Sequence, residues 1–196
     1  MLILAIDTSM AACSAAVHDS SRGVLARRFV AMERGHAEAI APMVKEVMAE
    51  AGLGFTALDR IAVTVGPGTF TGVRIGLAMA RGLGLALSIP VTGIDSLSAI
   101  AANEGVTESP LLVVADARRN EVYSALYLGG RMLGPPEVIA LERLVIPPGA
   151  TITGTAADGV LAAGSDFRRG RGGDLPDAAK FGALEMDETG DRKSVV

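Results

Sequence analysis

The chain has 196 residues, of which 49% are hydrophobic and 20% charged. This apolar composition excludes a mainly disordered chain. Eighteen Lys and Arg stand against 22 Asp and Glu, a formal net charge of −4, which argues against binding that rests on neutralising nucleic-acid phosphates. The single cysteine, Cys13, excludes an intrachain disulfide framework and a cluster of thiolate metal ligands.

The first half of the chain predicts three strands followed by alternating helices and strands. The predicted strands are Leu2–Ile6, Cys13–Val17, Val24–Val30, Ile61–Val65 and Pro90–Ile94. Apolar residues recur at helical spacing over His36–Ala51 and over Gly72–Leu87, which predicts two helices. Asp95 is a good N-cap for a third helix that runs to Ala102.

The second half begins again with strands, after a predicted linker at Asn103–Pro110. The predicted elements there are a hairpin of Leu111–Ala115 and Glu121–Leu128 around the turn Asp116–Asn120, a strand at Thr151–Thr155, a short helix at Ala156–Ala163 and a loop at Phe167–Asp174. This order predicts an α/β protein with two related halves, at residues 1–104 and 105–196.

A glycine-rich segment, Gly66–Gly76, joins a predicted strand to the second helix. It carries neither the Walker A Gly-Lys-Ser/Thr ending nor the dinucleotide pattern GxGxxG. Its glycines allow a helix N-terminus to meet a ligand or another chain closely, but a tight turn that serves packing alone is equally consistent with them. Asp7, at the end of the first strand, could hold a magnesium-bound water or could cap a turn.

The second helix carries a ridge of small residues at every fourth position. They are Gly72, Gly76, Ala80 and Gly84. Because glycine inside a helix costs roughly 1 kcal/mol relative to alanine, such a ridge needs an offsetting gain. Close approach of a helix from another chain would supply this gain, and so would close packing of the helix on the protein's own sheet.

The sequence offers little support for metal chemistry or for a membrane span. The two histidines, His18 and His36, have neither HxxxH nor HExxH spacing, and no Ser/His/Asp arrangement can be argued from them. The most apolar stretch, Val73–Val91, carries Arg74 and Arg81, so we expect no membrane span. We also expect a cytoplasmic protein without a signal peptide, because Asp7 interrupts the short apolar start.

Four motifs together resemble one known family. They are Leu4–Ser9, His36–Glu38, Gly66–Gly76 and Asp116–Tyr123, in that order. This arrangement is similar to the TsaB (YeaZ) family, the bacterial dimerisation subunits of the machinery that makes threonylcarbamoyladenosine at position 37 of tRNA. The resemblance covers about residues 1–165. The polar end of the chain, residues 185–196, lacks the Pro-x-Tyr-Leu-Arg-like tail of that family, which weakens any expectation for a contact made there.

The resemblance implies an actin-like/Hsp70-like ATPase-type fold, with two related α/β halves and mixed sheets. It also implies a non-catalytic scaffold that binds the catalytic paralogue TsaD, with a TsaE-like ATPase as third component and tRNA reached only through the complex. ATP is then used by the complex, and no cofactor is tightly bound to this chain. The catalytic relative carries two metal-binding histidines where this chain has Ile94–Ala99, without a histidine. The alternative is a metal-dependent glycoprotease-like peptidase or a small ATPase of the same superfamily.

The resemblance further implies that the first two helices form the partner interface. The residues expected there are Ala39, Met43, Gly72, Gly76, Ala80 and Gly84. An isolated chain would cover this face by forming a two-fold homodimer. Bulky changes such as Gly76→Leu should then weaken the interface and leave the monomer folded. A vestigial nucleotide site is expected at Asp7, Gly66 and Gly68.

Overall fold

The computed structural model describes residues 1–162 and 167–186, which form two compact units. The first unit contains Met1–Ala99 and the described residues from Pro176 onward, and the second contains Ile100–Leu175. The third helix, α3 (Ser96–Glu104), begins in the first unit and ends in the second. Predictions for the polar tail, residues 187–196, and for Ala163 lie outside the described residues.

The first unit is built on a mixed five-stranded sheet. Its elements in chain order are β1 (Leu2–Asp7), β2 (Ala12–Asp19), β3 (Gly23–Ala31), α1 (His36–Glu50), β4 (Arg60–Thr64), α2 (Phe70–Leu87) and β5 (Val91–Ile94). The spatial order of the strands is β3-β2-β1-β4-β5. The first three strands are antiparallel, as the short polar turns between them predict, while β1, β4 and β5 are parallel because helices connect them.

The core of this unit lies between the sheet and the two long helices. Alternate residues of β1 and β2, such as Leu4, Ile6 and Ala15, pack against the apolar stripe of α1, which includes Ile40 and Val44. The predicted N-cap of the third helix is confirmed, since Asp95 Oδ1 accepts hydrogen bonds from the backbone N–H of Leu97 (2.9 Å) and Ser98 (3.0 Å). These agreements follow from hydrophobic periodicity, which the sequence displays directly.

The C-terminal segment returns to the first unit. Helix α5 (Ala178–Phe181) contacts β1 and β2 through side chains of the opposite parity from those that face α1. The Ser14 hydroxyl accepts a hydrogen bond from Ala178 N (3.0 Å), and Phe181 is fully buried. The second half expected at 105–196 therefore differs from the observed unit, because these contacts attach the segment from Pro176 onward to the first sheet.

The second unit contains a mixed six-stranded sheet. Its strands are β6 (Leu111–Arg118), β7 (Glu121–Leu128), β8 (Arg131–Met132), β9 (Glu137–Ala140), β10 (Thr151–Thr153) and β11 (Arg168–Arg169), and its short helix is α4 (Ala157–Leu161). The order is β11-β10-β6-β7-β8, with β9 also paired to β7. The hairpin of β6 and β7 confirms the prediction, whereas β8, β9 and β11 are too short for a periodic signal.

Helix α2 is the one helix of the described residues that is long and apolar enough to cross a membrane by length and composition. Length and composition are weak evidence, because a core helix of an α/β layer passes the same test. In this structure, the buried residues of α2 face the strands of its own sheet. We therefore describe α2 as a surface helix of an α/β layer.

Candidate functional site

The glycine ridge of α2 faces the sheet, so its assignment to the partner interface is wrong. Gly72, Gly76, Ala80 and Gly84 are the buried residues of the helix. A Cβ on Gly76 would lie 2.8 Å from Thr8 Oγ1 and 3.4 Å from Val63 Cγ2. A Cβ on Gly72 would collide with the carbonyl oxygen of Thr8, and one on Gly84 with the side chain of Val91. The ridge lets the helix backbone approach the sheet.

The two α1 residues predicted to pack outward also belong to the core side. Met43 is only 6% exposed and lies in the main hydrophobic cluster, because it is three residues after Ile40 and four before Val47. Ala39 is half-buried and packs against the same cluster. Ala39 and Met43 therefore contribute to the core and do not form an outward-facing partner surface on α1.

The surface that α2 does present is a second face of the same helix, which we call the outer face. It consists of the exposed residues Phe70, Arg74, Ala78, Arg81, Gly82 and Leu85. Phe70 is 70% exposed and Leu85 82%, although both are large apolar side chains. A Cβ on Gly82 would meet no atom within 4 Å. Apart from Arg74 and Arg81, this face is therefore apolar, and it is open to a second helix.

One end of the outer face carries a stacked arginine–phenylalanine pair. The guanidinium carbon of Arg74 lies 3.5 Å from the centre of the Phe70 ring, one helical turn away. Such cation–π stacking restricts both side chains and holds the positive charge next to an exposed ring. Tryptophan, tyrosine and arginine dominate the energetics of many protein interfaces, and an exposed aromatic ring with arginine stacked on it is a related arrangement.

The glycine-rich loop lies at the carboxyl ends of β1 and β4, where Asp7 also lies. Gly66 has a φ of +104°, a conformation that favours glycine, and its carbonyl oxygen accepts a hydrogen bond from Ser96 N (2.8 Å). A Cβ on Gly68 would collide with the carbonyl of Ser9. The structure thus brings the three predicted residues Asp7, Gly66 and Gly68 to one edge of the sheet.

Several N–H groups at the start of α2 are engaged by the chain itself. Thr69 N donates to Ser9 O (2.8 Å), and Gly72 N donates to Thr69 Oγ1 (3.1 Å) as part of the helix cap. Val73 N donates to Thr69 O (3.0 Å). These bonds engage the N–H groups of Thr69, Gly72 and Val73, whereas the free N–H groups of a helix N-terminus are its usual anion ligands. The loop packs closely against Ser9 at the start of α2.

Asp7 is a fully buried carboxylate with one satisfied oxygen. Its Oδ1 accepts hydrogen bonds from Ser9 N (3.1 Å), Ser9 Oγ (2.6 Å) and Thr64 Oγ1 (2.5 Å). Its Oδ2 is buried without a hydrogen-bond partner in the described part of the chain. Burial raises the pKa of the carboxyl to about 6, because desolvation outweighs the hydrogen bonds from Ser9 and Thr64 that lower it.

Both histidines of the sequence form hydrogen bonds to backbone carbonyls. His18 Nε2 lies 2.9 Å from Ala178 O, and burial lowers the pKa of this histidine. His36, the first residue of α1, has its Nε2 2.9 Å from Met10 O. Within the described residues, no group of three or more His, Cys, Asp or Glu could hold a metal ion.

The outer face is the feature that our sequence reasoning missed. A signal for it was present, since Ala78, Gly82 and Ala86 form a second row of small residues four apart, with Arg74 and Phe70 continuing the same row. The helix is apolar nearly all round, so periodicity alone could not show which row meets the sheet.

Comparisons with known proteins agree on one family. The profile of TsaD, tRNA N6-adenosine threonylcarbamoyltransferase, matches residues 10–178. An uncharacterised protein of Mycobacterium tuberculosis is 41% identical over 164 residues, which are 82% of this chain and 75% of that protein. The tRNA threonylcarbamoyladenosine biosynthesis protein TsaB of Escherichia coli is 39% identical over 131 residues, which are 65% of this chain and 55% of TsaB.

A solved structure has the same fold over nearly the whole chain. YeaZ from Pseudomonas aeruginosa superposes with a TM-score of 0.81 at 30% identity, and the match covers 94% of this chain and 90% of that one. Together with the two mixed sheets, this likeness confirms the expected α/β fold of the actin-like ATPase type.

Proposed function

Since this chain belongs to the TsaB (YeaZ) family and thereby to tRNA threonylcarbamoyladenosine biosynthesis, we propose that it is the non-catalytic scaffold subunit of that machinery. In this role it binds a TsaD-like catalytic paralogue, and a TsaE-like ATPase joins the complex. The tRNA is reached through the complex, ATP is consumed by the complex, and the assembly works in the cytoplasm.

The observation that carries the proposal is the outer face of α2. A monomeric protein gains nothing by exposing Phe70 and Leu85 on one open helix face, because each could lower the free energy by being covered. The small residues Ala78 and Gly82 between them allow the axis of a second helix to approach closely. A helical partner surface therefore fits this face.

The engaged state of the candidate chemical groups supports a scaffold role. His18 and His36 are bonded to the backbone, and the Asp7 carboxylate is enclosed by Ser9 and Thr64. Threonylcarbamoyl transfer needs groups that polarise a carbonyl next to a substrate. Such groups belong, in this proposal, to the catalytic paralogue.

The packed glycine loop supports the view that the isolated chain holds no nucleotide tightly. The N–H groups of Thr69 and Gly72 would have to leave Ser9 and their own cap to bind a phosphate. Titration calorimetry of the isolated chain with MgATP should therefore give a dissociation constant well above the micromolar range. Micromolar affinity would favour the small-ATPase alternative instead.

The isolated chain covers its outer face with a second copy when its concentration is high. A two-fold axis through the face brings Leu85 and Phe70 of both copies under cover. Sedimentation velocity over a concentration series measures this equilibrium. A chain that stays monomeric at high concentration contradicts the homodimer and leaves the paralogue as the partner to test.

The proposal is tested by complementation and capture with one pair of matched variants. A strain depleted of its own TsaB should regain threonylcarbamoyladenosine in its tRNA when it receives this chain. Gly82→Leu places a bulky side chain in the open outer face, while Gly159→Leu does the same at an open helical glycine of α4. We expect only Gly82→Leu to abolish capture of the TsaD-like paralogue and complementation.

If Gly82→Leu captures the paralogue as well as Gly159→Leu does, then α2 is not the docking element. If the unchanged chain neither captures the paralogue nor restores the modified nucleoside, then the scaffold role itself is contradicted.

A further inference from the structure

The outer face carries positive charge without any carboxylate to balance it. Arg74 and Arg81 are both exposed and lie seven residues apart, so they project from the same side of the helix. Neither has an ion pair with an acidic residue in the described part of the chain. The whole stretch between Asp59 and Asp95 contains no acidic residue, although the chain as a whole has a net charge of −4.

The nearest helix does not compensate for these charges. Glu46 and Glu50 of α1 are bound to Arg28 of β3, at 3.3 Å from Arg28 Nε in the case of Glu46. Arg74, in turn, is held by stacking on Phe70. The outer face therefore meets any partner as an apolar surface with two cations, of which Arg74 is held in place by Phe70.

A second copy of the chain is a poor match for this charge pattern. In a two-fold pair of antiparallel α2 helices that cross near Ala78, Arg74 of one copy lies beside Arg81 of the other, because Ala78 lies near the midpoint between them. Both cross-pairs are then like-charged, and like charges across an interface lower affinity.

We propose that Arg74 and Arg81 select a partner whose docking helix is apolar and places carboxylates opposite them, and that they disfavour the homodimer. The inference rests on the proposed function, in which α2 is the docking element, and it defines the chemistry of the surface that docks there. The two arginines then act as a specificity device, by attraction to an acidic partner and repulsion from a second copy.

Ionic strength separates the two complexes. Raising NaCl from about 50 to about 500 mM screens both interactions. We expect the dissociation constant of the complex with the catalytic paralogue to rise about tenfold, since attraction is lost. We expect the homodimer dissociation constant to fall or stay constant, since repulsion is lost. Sedimentation and calorimetry on the same preparations measure both.

A charge reversal gives the sharper test. In Arg81→Glu, both cross-pairs of the two-fold homodimer become Arg–Glu pairs, so the homodimer should tighten while capture of the paralogue weakens about tenfold. Arg131→Glu, at an exposed residue of β8 in the other unit, makes the same change in net charge away from the face and is the matched control. It should leave both equilibria near their original values.

Each contrary result has its own meaning. If Arg81→Glu behaves like Arg131→Glu while Gly82→Leu still abolishes capture, the docking face stands and the acidic-partner inference is overturned. If Gly82→Leu has no effect, the proposed function fails at this face. Sedimentation with phosphatidylserine vesicles that matches capture by the paralogue, and that Arg81→Glu removes, would also overturn the inference, because it would assign the arginines to a lipid surface.

Discussion

The inner and outer faces of α2 are made of similar residues but meet opposite environments. Gly76 and Gly84 on the inner face are fixed against Thr8, Val63 and Val91 of the sheet. Gly82 on the outer face has no atom near the position of a Cβ. One helix therefore uses small residues for two purposes, namely packing inside its own unit and leaving room for a partner.

A row of small residues thus indicates that another structural element approaches the helix closely, but it does not identify that element. On the inner face, the helix approaches a β-sheet of the same unit, and atoms of the chain occupy the space that a Cβ on each glycine would need. Outside, the space is filled by solvent until a partner arrives. Arg81 is exposed on the outer face, whereas the buried carboxylate of Asp7 lies on the other side of the sheet, the side of Ser14 and α5.

The largest effect should come from filling the inner face. In Gly76→Leu, the new side chain must displace Thr8 and Val63, so we expect the free energy of unfolding to fall by about 3 kcal/mol or more. Urea denaturation followed by circular dichroism measures the loss. A monomer as stable as the unchanged chain would mean that the inner face is not packed as described.

The buried carboxylate of Asp7 should make stability depend on pH. The pKa of Asp7, raised to about 6 from 3.8, lies above its unfolded value, so the folded chain binds the proton more tightly between these values. Lowering the pH from 7 to 4 should therefore raise this residue's contribution to the free energy of unfolding by about 2–3 kcal/mol.

Asp7→Asn isolates that contribution, because it removes the titrating group and keeps the shape. Denaturation of both chains between pH 4 and pH 7 gives the difference in their slopes. The gap in stability between the variant and the unchanged chain should be most favourable to the variant at pH 7 and should shrink as the pH falls. Parallel curves would contradict a desolvated carboxylate at Asp7.

On the outer face, removing an exposed anchor should affect binding and leave folding unchanged. We expect Leu85→Ala to weaken capture of the paralogue about tenfold, because a large side chain covered at an interface is lost. The matched control is Leu133→Ala, at another exposed leucine, which is 57% exposed. Both variants should unfold within about 0.5 kcal/mol of the unchanged chain. Equal capture by the two variants would remove Leu85 from the docking face.

The smallest effect is expected from two glycine-to-alanine substitutions, which should change the free energy of unfolding in opposite directions. Gly82→Ala should raise the free energy of unfolding by about 0.5–1 kcal/mol, because alanine is the better helix former and its Cβ meets open space. Gly72→Ala should lower it, because its Cβ collides with the carbonyl of Thr8. If both changes have the same sign, the two faces of α2 do not differ in packing.

Sequence reasoning reached most of the first sheet and both long helices, because their apolar residues repeat at periods of two and 3.6. The N-cap at Asp95 and the hairpin of β6 and β7 were also predictable, since capping and turn residues are local signals. The short strand β8 and helix α5 were not, because two to four residues cannot display a period.

Only part of the candidate site could be predicted from the sequence, for a different reason. The four motifs indicated the family, and the row of small residues indicated that α2 is approached closely by something. The direction of Met43 could not be read, since it lies at the edge of the apolar stripe of α1, where one helical position separates core from surface.

By itself, the sequence determined the longer helices and strands, the family and the presence of a closely packed helix, because propensity and spacing are properties of the chain. Only the tertiary structure decided that Gly72, Gly76, Ala80 and Gly84 meet the sheet, and that Phe70, Arg74 and Leu85 remain outside. The physical reason is that α2 is apolar on nearly every side. The choice between its faces depends on which row fits the shape of β1 and β4, and that shape exists only once the sheet has formed.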